Sequence, residues 1–361
     1  MTYRDNLSTL PRYDRHKSYL WNYENAPDPI ERELPEVPGE WRFCGLPVDS
    51  PLGVPAGPLL NGKWCLYYAS LGFDVVTYKT VRSRERECYA LPNLQPVVCD
   101  QLYGGESDLP TSEHMGGSWA VAFGMPSKGP DVWRKDVEET RRRLPEGKLL
   151  SVSVVATVQA GWGEDELAND YAQCARWALD SGADAIETNF SCPNVSTCDG
   201  QLYQDHAGAA RVAARVRDAI GSEAPYLLKI GHIRTENEAR ALIEAVHPHV
   251  NALAMTNSVA TTVVGADGTR LFEGEKRGIC GTGILEASLT QCALVKKILA
   301  DGNYELEIVG VGGVATAHDV ERYLEVGAHA VHVASTAMVR PKVGMEIREA
   351  LGGEKPEERP S

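Results

Sequence analysis

The chain has 361 residues, 43% of them apolar, and a formal net charge of −14. That is enough apolar side chain for a large core, and the acidic balance excludes a nucleic-acid partner, which calls for a basic stripe. Nine cysteines (44, 65, 88, 99, 174, 192, 198, 280, 292) form no C-x-x-C pair and accompany no histidine cluster. A disulfide framework and a metal site are therefore not expected, and a reducing, cytoplasmic setting is. Residues 1–17 lack the apolar core of a signal peptide, and the longest uncharged, apolar-leaning run, 149–163, is too short and too polar to span a bilayer.

Residues 1–40 are rich in proline, charge and aromatics and read as an arm that wraps the domain. Residues 43–56 hold two short apolar pieces separated by Asp49-Ser50-Pro51, which predicts an opening hairpin leading into a first strand. A helix is expected over 61–70, stopped by Leu71-Gly72, and then a β-branched strand over 73–81. Residues 82–117 show no clear period, which suggests a lid or an inserted subdomain.

From there the alternation is regular. Helices are expected over 132–143, 164–181, 207–220, 236–246, 285–300 and 317–325. Strands are expected over 149–156, 183–189, 226–230, 252–256, 307–311 and 330–333. Eight strands with helices between them predict an α/β fold, a (β/α)8 TIM barrel, with a doubly wound open sheet as the alternative. The expected organisation is an arm over 1–40, a barrel over 41–345 with an insertion near 82–117, and an acidic tail over 346–361.

Barrel chemistry sits where strands end. Lys79 ends the second strand and Lys229 the fifth. Two lysines inside apolar runs are expensive to bury without a partner, so they point to an anionic or electron-rich ligand, a structural ion pair being the plainer reading. Asn189 ends the fourth strand, with Cys192 and Asn194 in its loop. A thiol there is a plausible proton acceptor, and two amides can hold a planar polar substrate. Cys198 is a weaker rival in the same loop. Thr256, Asn257 and Ser258 end the sixth strand.

Gly310-Val311-Gly312-Gly313 opens a helix after the seventh strand, and Ala334-Ser335 follows the eighth. That pair of small-residue turns suits a phosphate. The loop 278–283, which holds Gly281, serves equally as a ligand contact or as a plain turn. His332 reads as a satisfied core histidine, and His206, His232, His318 and His332 form no metal spacing.

Asn189-Phe190-Ser191-Cys192-Pro193-Asn194, Val76-Thr77-Tyr78-Lys79-Thr80, Lys229, Asn257-Ser258 and the Gly-x-Gly-Gly turn together resemble the dihydroorotate dehydrogenase family, from about residue 45 to about 340. The barrel domain of dihydropyrimidine dehydrogenase is similar at the same points. The resemblance implies a (β/α)8 barrel binding FMN at its C-terminal face. It implies Cys192 as the base, as in the soluble branch, and Asn189, Asn194, Asn257 and Ser258 around the substrate.

It also implies Lys79 beside flavin and substrate and Lys229 at the N1/O2 side of the flavin. Ala56 and Gly57 would lie near the ring, and Gly312, Gly313, Ala334 and Ser335 at the phosphate; Gly281 is a further candidate cofactor contact. The implied reaction oxidises a C–C bond of dihydroorotate or a related cyclic amide, in pyrimidine metabolism, with a homodimer as the family's suggestion. Val121 stands where the family pattern has Asn, so an enzyme of this type recruited to another substrate is a second reading. A flavin-free barrel using Lys229, as a lyase or a phosphate-ligand binder, is a third.

Overall fold

The computed structural model describes residues 10–191 and 201–353. Eight parallel strands close into a barrel: β1 (Leu52–Val54), β2 (Val75–Val81), β3 (Leu149–Val154), β4 (Ala185–Asn189), β5 (Tyr226–Lys229), β6 (Ala252–Met255), β7 (Glu307–Val311) and β8 (Ala330–His332). Each pairs with the next in chain order and β8 returns to β1, so the open sheet is not formed. Helices α1 (Gly62–Ala69), α2 (Pro130–Arg143), α3 (Glu164–Asp180), α4 (His206–Ile220), α5 (Glu236–Val246), α6 (Leu285–Gly302) and α7 (Ala317–Glu325) fill the connections. Two more, α8 (Ser335–Val339) and α9 (Val343–Gly352), follow β8. No helix among the described residues is long and apolar enough to cross a membrane.

Alternation along the strands divides the core in two. Ile186, Leu228 and Val76 pack outward under the helices. Val75, Leu149, Ala185, Leu227, Ala252, Val309 and Ala330 fill the barrel floor. A hairpin, Trp41–Phe43 against Leu46–Val48, plugs that floor with Phe43. Its turn is Cys44-Gly45, both at positive φ, and both amides donate to the Glu307 carboxylate at 2.7 and 3.2 Å. The opening hairpin thus starts at Trp41, ahead of the first of the two apolar pieces, and turns inside that piece, so Asp49-Ser50-Pro51 only links it to β1.

Residues 82–117 form more than a lid. Leu94–Val97 and Ser118–Val121 join Arg277–Gly281 and Val259–Thr261 in a four-stranded antiparallel sheet. Half of that sheet comes from the long β6–α6 connection, so two βα segments build one cap with its own apolar core, including Val97, Ala120, Val259 and Ile279. The arm packs onto the barrel through backbone carbonyls: Tyr67 donates to Pro11, Trp64 to Asn22 and Asn61 to Tyr23.

The tail expected from residue 346 begins instead inside a packed helix. Arg348 of α9 is 3% exposed and donates to Asp74 Oδ2 at 2.6 Å and to the Pro35 carbonyl at 2.7 Å. Lys148 reaches the other Asp74 oxygen at 2.5 Å, and Ser50 donates to the same carboxylate. Removing one member of such a buried cluster strands the others without a counter-charge. Asp74→Ala is therefore expected to lower unfolding stability by about 3–5 kcal/mol. Equilibrium denaturation checks this, and a loss under about 1 kcal/mol would show that the cluster is not needed.

Candidate active site

The upper ends of the strands carry polar side chains above the apolar floor. The β2–β3 register shifts between Tyr78 and Val81. This irregularity lets the successive residues Lys79 and Thr80 both serve the mouth. The Lys79 ammonium lies 3.4 Å from the Gly57 carbonyl, 4.7 Å from the Phe123 ring centroid and 5.6 Å from that of Tyr19. Arm, β1 loop and cap therefore meet at one cation. Thr80 turns toward Ser153 on β3, their hydroxyls 3.0 Å apart.

Asn189 is held at both ends. Its Nδ2 donates to Thr80 Oγ1 at 3.4 Å, and its Oδ1 accepts from the Ser191 amide and hydroxyl at 3.1 and 3.0 Å. Asn257 Nδ2 donates to the Ser191 carbonyl at 3.1 Å, which ties the β6 loop to the β4 loop. Ser191 and Ser258 line one cleft with Gly231, His232, Arg234 and Lys276. Cys192, Asn194 and Cys198 lie outside the described residues.

Lys229 is 5% exposed, at the top of β5 and in register with Asn189. It interacts electrostatically with Glu187, Cys280 and His332. Of these three, only His332 draws comment from the sequence, as a core histidine; Glu187 and Cys280 are given no role there. Burial pushes the Cys280 thiol up to about 12, with Lys229 opposing. His332 lies in the core as expected but is not satisfied: neither ring nitrogen has a hydrogen-bond partner among the described residues. Burial, then Lys229, pushes it down to about 3, so it is neutral near neutrality. Thr77 Oγ1, Ser151 Oγ, Glu187 Oε1 and Thr256 Oγ1 are likewise buried without partners among those residues.

After β7, Gly312 and Gly313 have φ of 131° and 76°. A Cβ on Gly313 would stand 2.6 Å from Leu285 Cβ and 2.8 Å from its Cα. The β7 and β8 loops are tied together, Thr336 donating to the Val314 carbonyl at 2.7 Å and Arg340 to that of Ala315 at 2.6 Å. The Ala315 and Thr316 amides are already capped by Asp319. This leaves the turn residues Gly312, Gly313, Ala334 and Ser335 as the candidate cradle. Gly281 is different. Its added Cβ would fall 2.0 Å from the Gly117 carbonyl and 2.8 Å from Cα of its sheet partner Ser118, so the glycine is required by the neighbouring strand.

The family profile described as "Dihydroorotate dehydrogenase" matches residues 40–353. The chain belongs to the dihydroorotate dehydrogenase family. It is 29% identical over 358 residues to "Dihydroorotate dehydrogenase" of Dictyostelium discoideum, covering 93% of this chain and 96% of that protein. It is 28% identical to "Dihydroorotate dehydrogenase (quinone)" of Leifsonia xyli subsp. xyli over 79% of this chain and 76% of that one. Among solved structures, the dihydroorotate dehydrogenase of Eimeria tenella in complex with ferulenol shares the fold, with a TM-score of 0.72 at 18% identity, covering 92% of this chain and 88% of that one.

A dihydroorotate dehydrogenase family member is an oxidoreductase acting on a small molecule, and the family implies a flavin. The residues present fit one. A Cβ on Gly57 would meet nothing within 4 Å, so there is open space beside the Lys79 ammonium. Lys229 and several unpartnered polar atoms underlie the mouth, and the paired turns stand at the β7–β8 end.

These features separate two glycine substitutions. Gly57→Ala is expected to change apoprotein stability by less than about 0.5 kcal/mol while lowering flavin affinity. Gly313→Ala is expected to cost more than about 1 kcal/mol through strain and crowding as well as flavin. Thermal unfolding with and without flavin, alongside flavin titration, distinguishes them.

Proposed function

We propose that the protein is an FMN-dependent enzyme that oxidises a C–C bond of dihydroorotate or a related cyclic amide, with Cys192 as the base. The observation that carries this reading is the anchoring of Asn189 and Asn257 through Ser191, the residue before Cys192, with Asn189 in register with Lys229 and bonded to Thr80, the residue after Lys79. A planar amide ring has donors and acceptors to meet there, fixed by bonds formed before it arrives.

Ala56, Gly57 and Lys79 would border the flavin ring. Lys229 would sit at its N1/O2 side. Gly312, Gly313, Ala334 and Ser335 would offer backbone amides to the FMN phosphate, and the two tied loops would hold them there. When bound, the flavin supplies a two-electron acceptor at N5. The chain's part is to fix the substrate through Asn189, Asn194, Asn257 and Ser258 and to take the proton from the neighbouring carbon at Cys192 Sγ.

One observation favours the second reading, an enzyme of this type with another substrate. Val121 pairs with Leu94 and Gly278 in the cap sheet, half-buried, and puts an apolar side chain where the family pattern has an amide. A site built to pair a polar substrate group loses much when a partner is replaced by a hydrocarbon.

Cys192→Ala is expected to keep its flavin and to slow flavin bleaching by substrate roughly 10²–10⁴-fold, while Cys198→Ala bleaches at the wild-type rate. Anaerobic stopped-flow absorbance measures both, and equal rates in wild type and Cys192→Ala would remove Cys192 from the mechanism. Run across dihydroorotate, other dihydropyrimidines and small cyclic amides, the same assay separates the two substrate readings. Protein that shows no flavin absorbance even after FMN is added would sink both.

A further inference from the structure

Glu187 is a fully buried carboxylate that the reading above leaves without a role. Ala185 and Leu227 point into the barrel floor. With a period of two, Glu187, Asn189 and Lys229 follow them up the same inward face. Glu187 is in register with Leu227, one layer beneath the Asn189–Lys229 pair, and is 1% exposed.

A hydrogen-bond chain ends on it. Asn189 Nδ2 donates to Thr80, the Thr80 hydroxyl reaches Ser153, and Ser153 bonds the Glu187 carboxylate. If each hydroxyl donates onward, the last group needs to be a pure acceptor, which an ionised carboxylate is. Oε1 has no partner among the described residues, and Lys229 interacts with the carboxylate electrostatically without forming an ion pair with it.

We propose that Glu187 is the internal counter-charge of Lys229 and sets the reduction potential of the flavin at the barrel mouth. The proposal rests on the flavin reading above. A buried ammonium beside a flavin favours its electron-rich reduced form. A carboxylate one layer below cancels part of that field and holds the potential down.

The groups facing this pair are Lys79 and Thr80 from β2, Ser153 from β3, His332 from β8 and Cys280 from the cap. His332 and Cys280 titrate far from neutrality, at about 3 and about 12. Burial raises Glu187 above the usual carboxylate range, opposed by Lys229 and then Ser153. Above its folded pKa the carboxylate is present and the potential is held down. As pH falls through that pKa, the counter-charge is lost and the potential rises.

The experiment is the midpoint potential of the FMN-loaded protein, by dye equilibration from mildly acid to mildly alkaline pH, for wild type, Glu187→Gln and Ser153→Ala. Glu187→Gln is expected to lie at higher potential on the alkaline side and to merge with wild type on the acid side. Ser153→Ala removes a bond to the charged form and is expected to move the wild-type break to higher pH.

Coincident or parallel curves for wild type and Glu187→Gln overturn the proposal while leaving the flavin reading intact. Should Glu187→Gln fail to fold, an unmoved break in Ser153→Ala overturns it equally. Wild type that binds no flavin overturns both.

Discussion

Asp74 holds the lower end of the molecule together. Its two oxygens take Lys148, just before β3, and Arg348, on the last helix, while Ser50, just before β1, donates to the same carboxylate. Arg348 also grips the arm at the Pro35 carbonyl, and Lys148 donates to the Phe73 carbonyl at 3.2 Å. Two cations share one carboxylate, and neutral oxygens take up their remaining donors. The β1–β3 starts, the arm and α9 are thereby brought to one point. Burying this much charge is a weak source of stability compared with apolar packing, but a strong source of specificity in where segments meet.

With that end closed, the barrel runs from apolar to polar along its axis. The floor is Val75, Leu149, Ala185, Leu227 and Ala252, sealed by Phe43. Phe43 also stacks on His332 at 5.8 Å, where the two layers meet. Above them come Thr77, Ser151 and Glu187, then Lys79, Asn189, Lys229 and Thr256. The inward positions recur every second residue, so each strand carries its own piece of this gradient to the mouth. The many unpartnered atoms of the middle layer are costly for a folded chain alone. They make physical sense if solvent or a ligand completes them.

The eight barrel strands were legible because each is a short apolar, β-branched run bounded by turn residues, and the α/β alternation admits few topologies. Lys79, Lys229 and Asn189 were legible as polar interruptions at strand ends, and Gly312-Gly313 as a turn that only glycine fits. What escaped is non-local. The cap sheet pairs residue 121 with residue 278, and no window of sequence carries that pairing. Gly281 drew attention as a possible ligand contact, yet its crowding comes from Gly117. Glu187 carried the right signal, a charge two residues before Asn189, but next to a motif rich in functional groups it read as part of the run. His332 looked satisfied because one-dimensional position says nothing about whether a ring nitrogen finds a partner.

The division of labour follows from which segments are free to vary. Residues at the barrel ends answer to strand register. Moving Lys229 or Asn189 by one residue would turn it to the outer face, so the electrostatics of the mouth are fixed by the fold. The cap is not bound in this way. Val121 sits on a sheet whose pairing is backbone to backbone, with Phe123 just past the end of its strand, and these side chains can change without disturbing the ladder below. Phe123 lies against Lys79, so the cap also shapes the space above the cation. In the proposed reading the barrel therefore supplies the charge and the proton acceptor, and the cap decides which ring is admitted. In that reading, an amide-to-valine change at position 121 would alter the admitted ring while leaving the barrel chemistry in place.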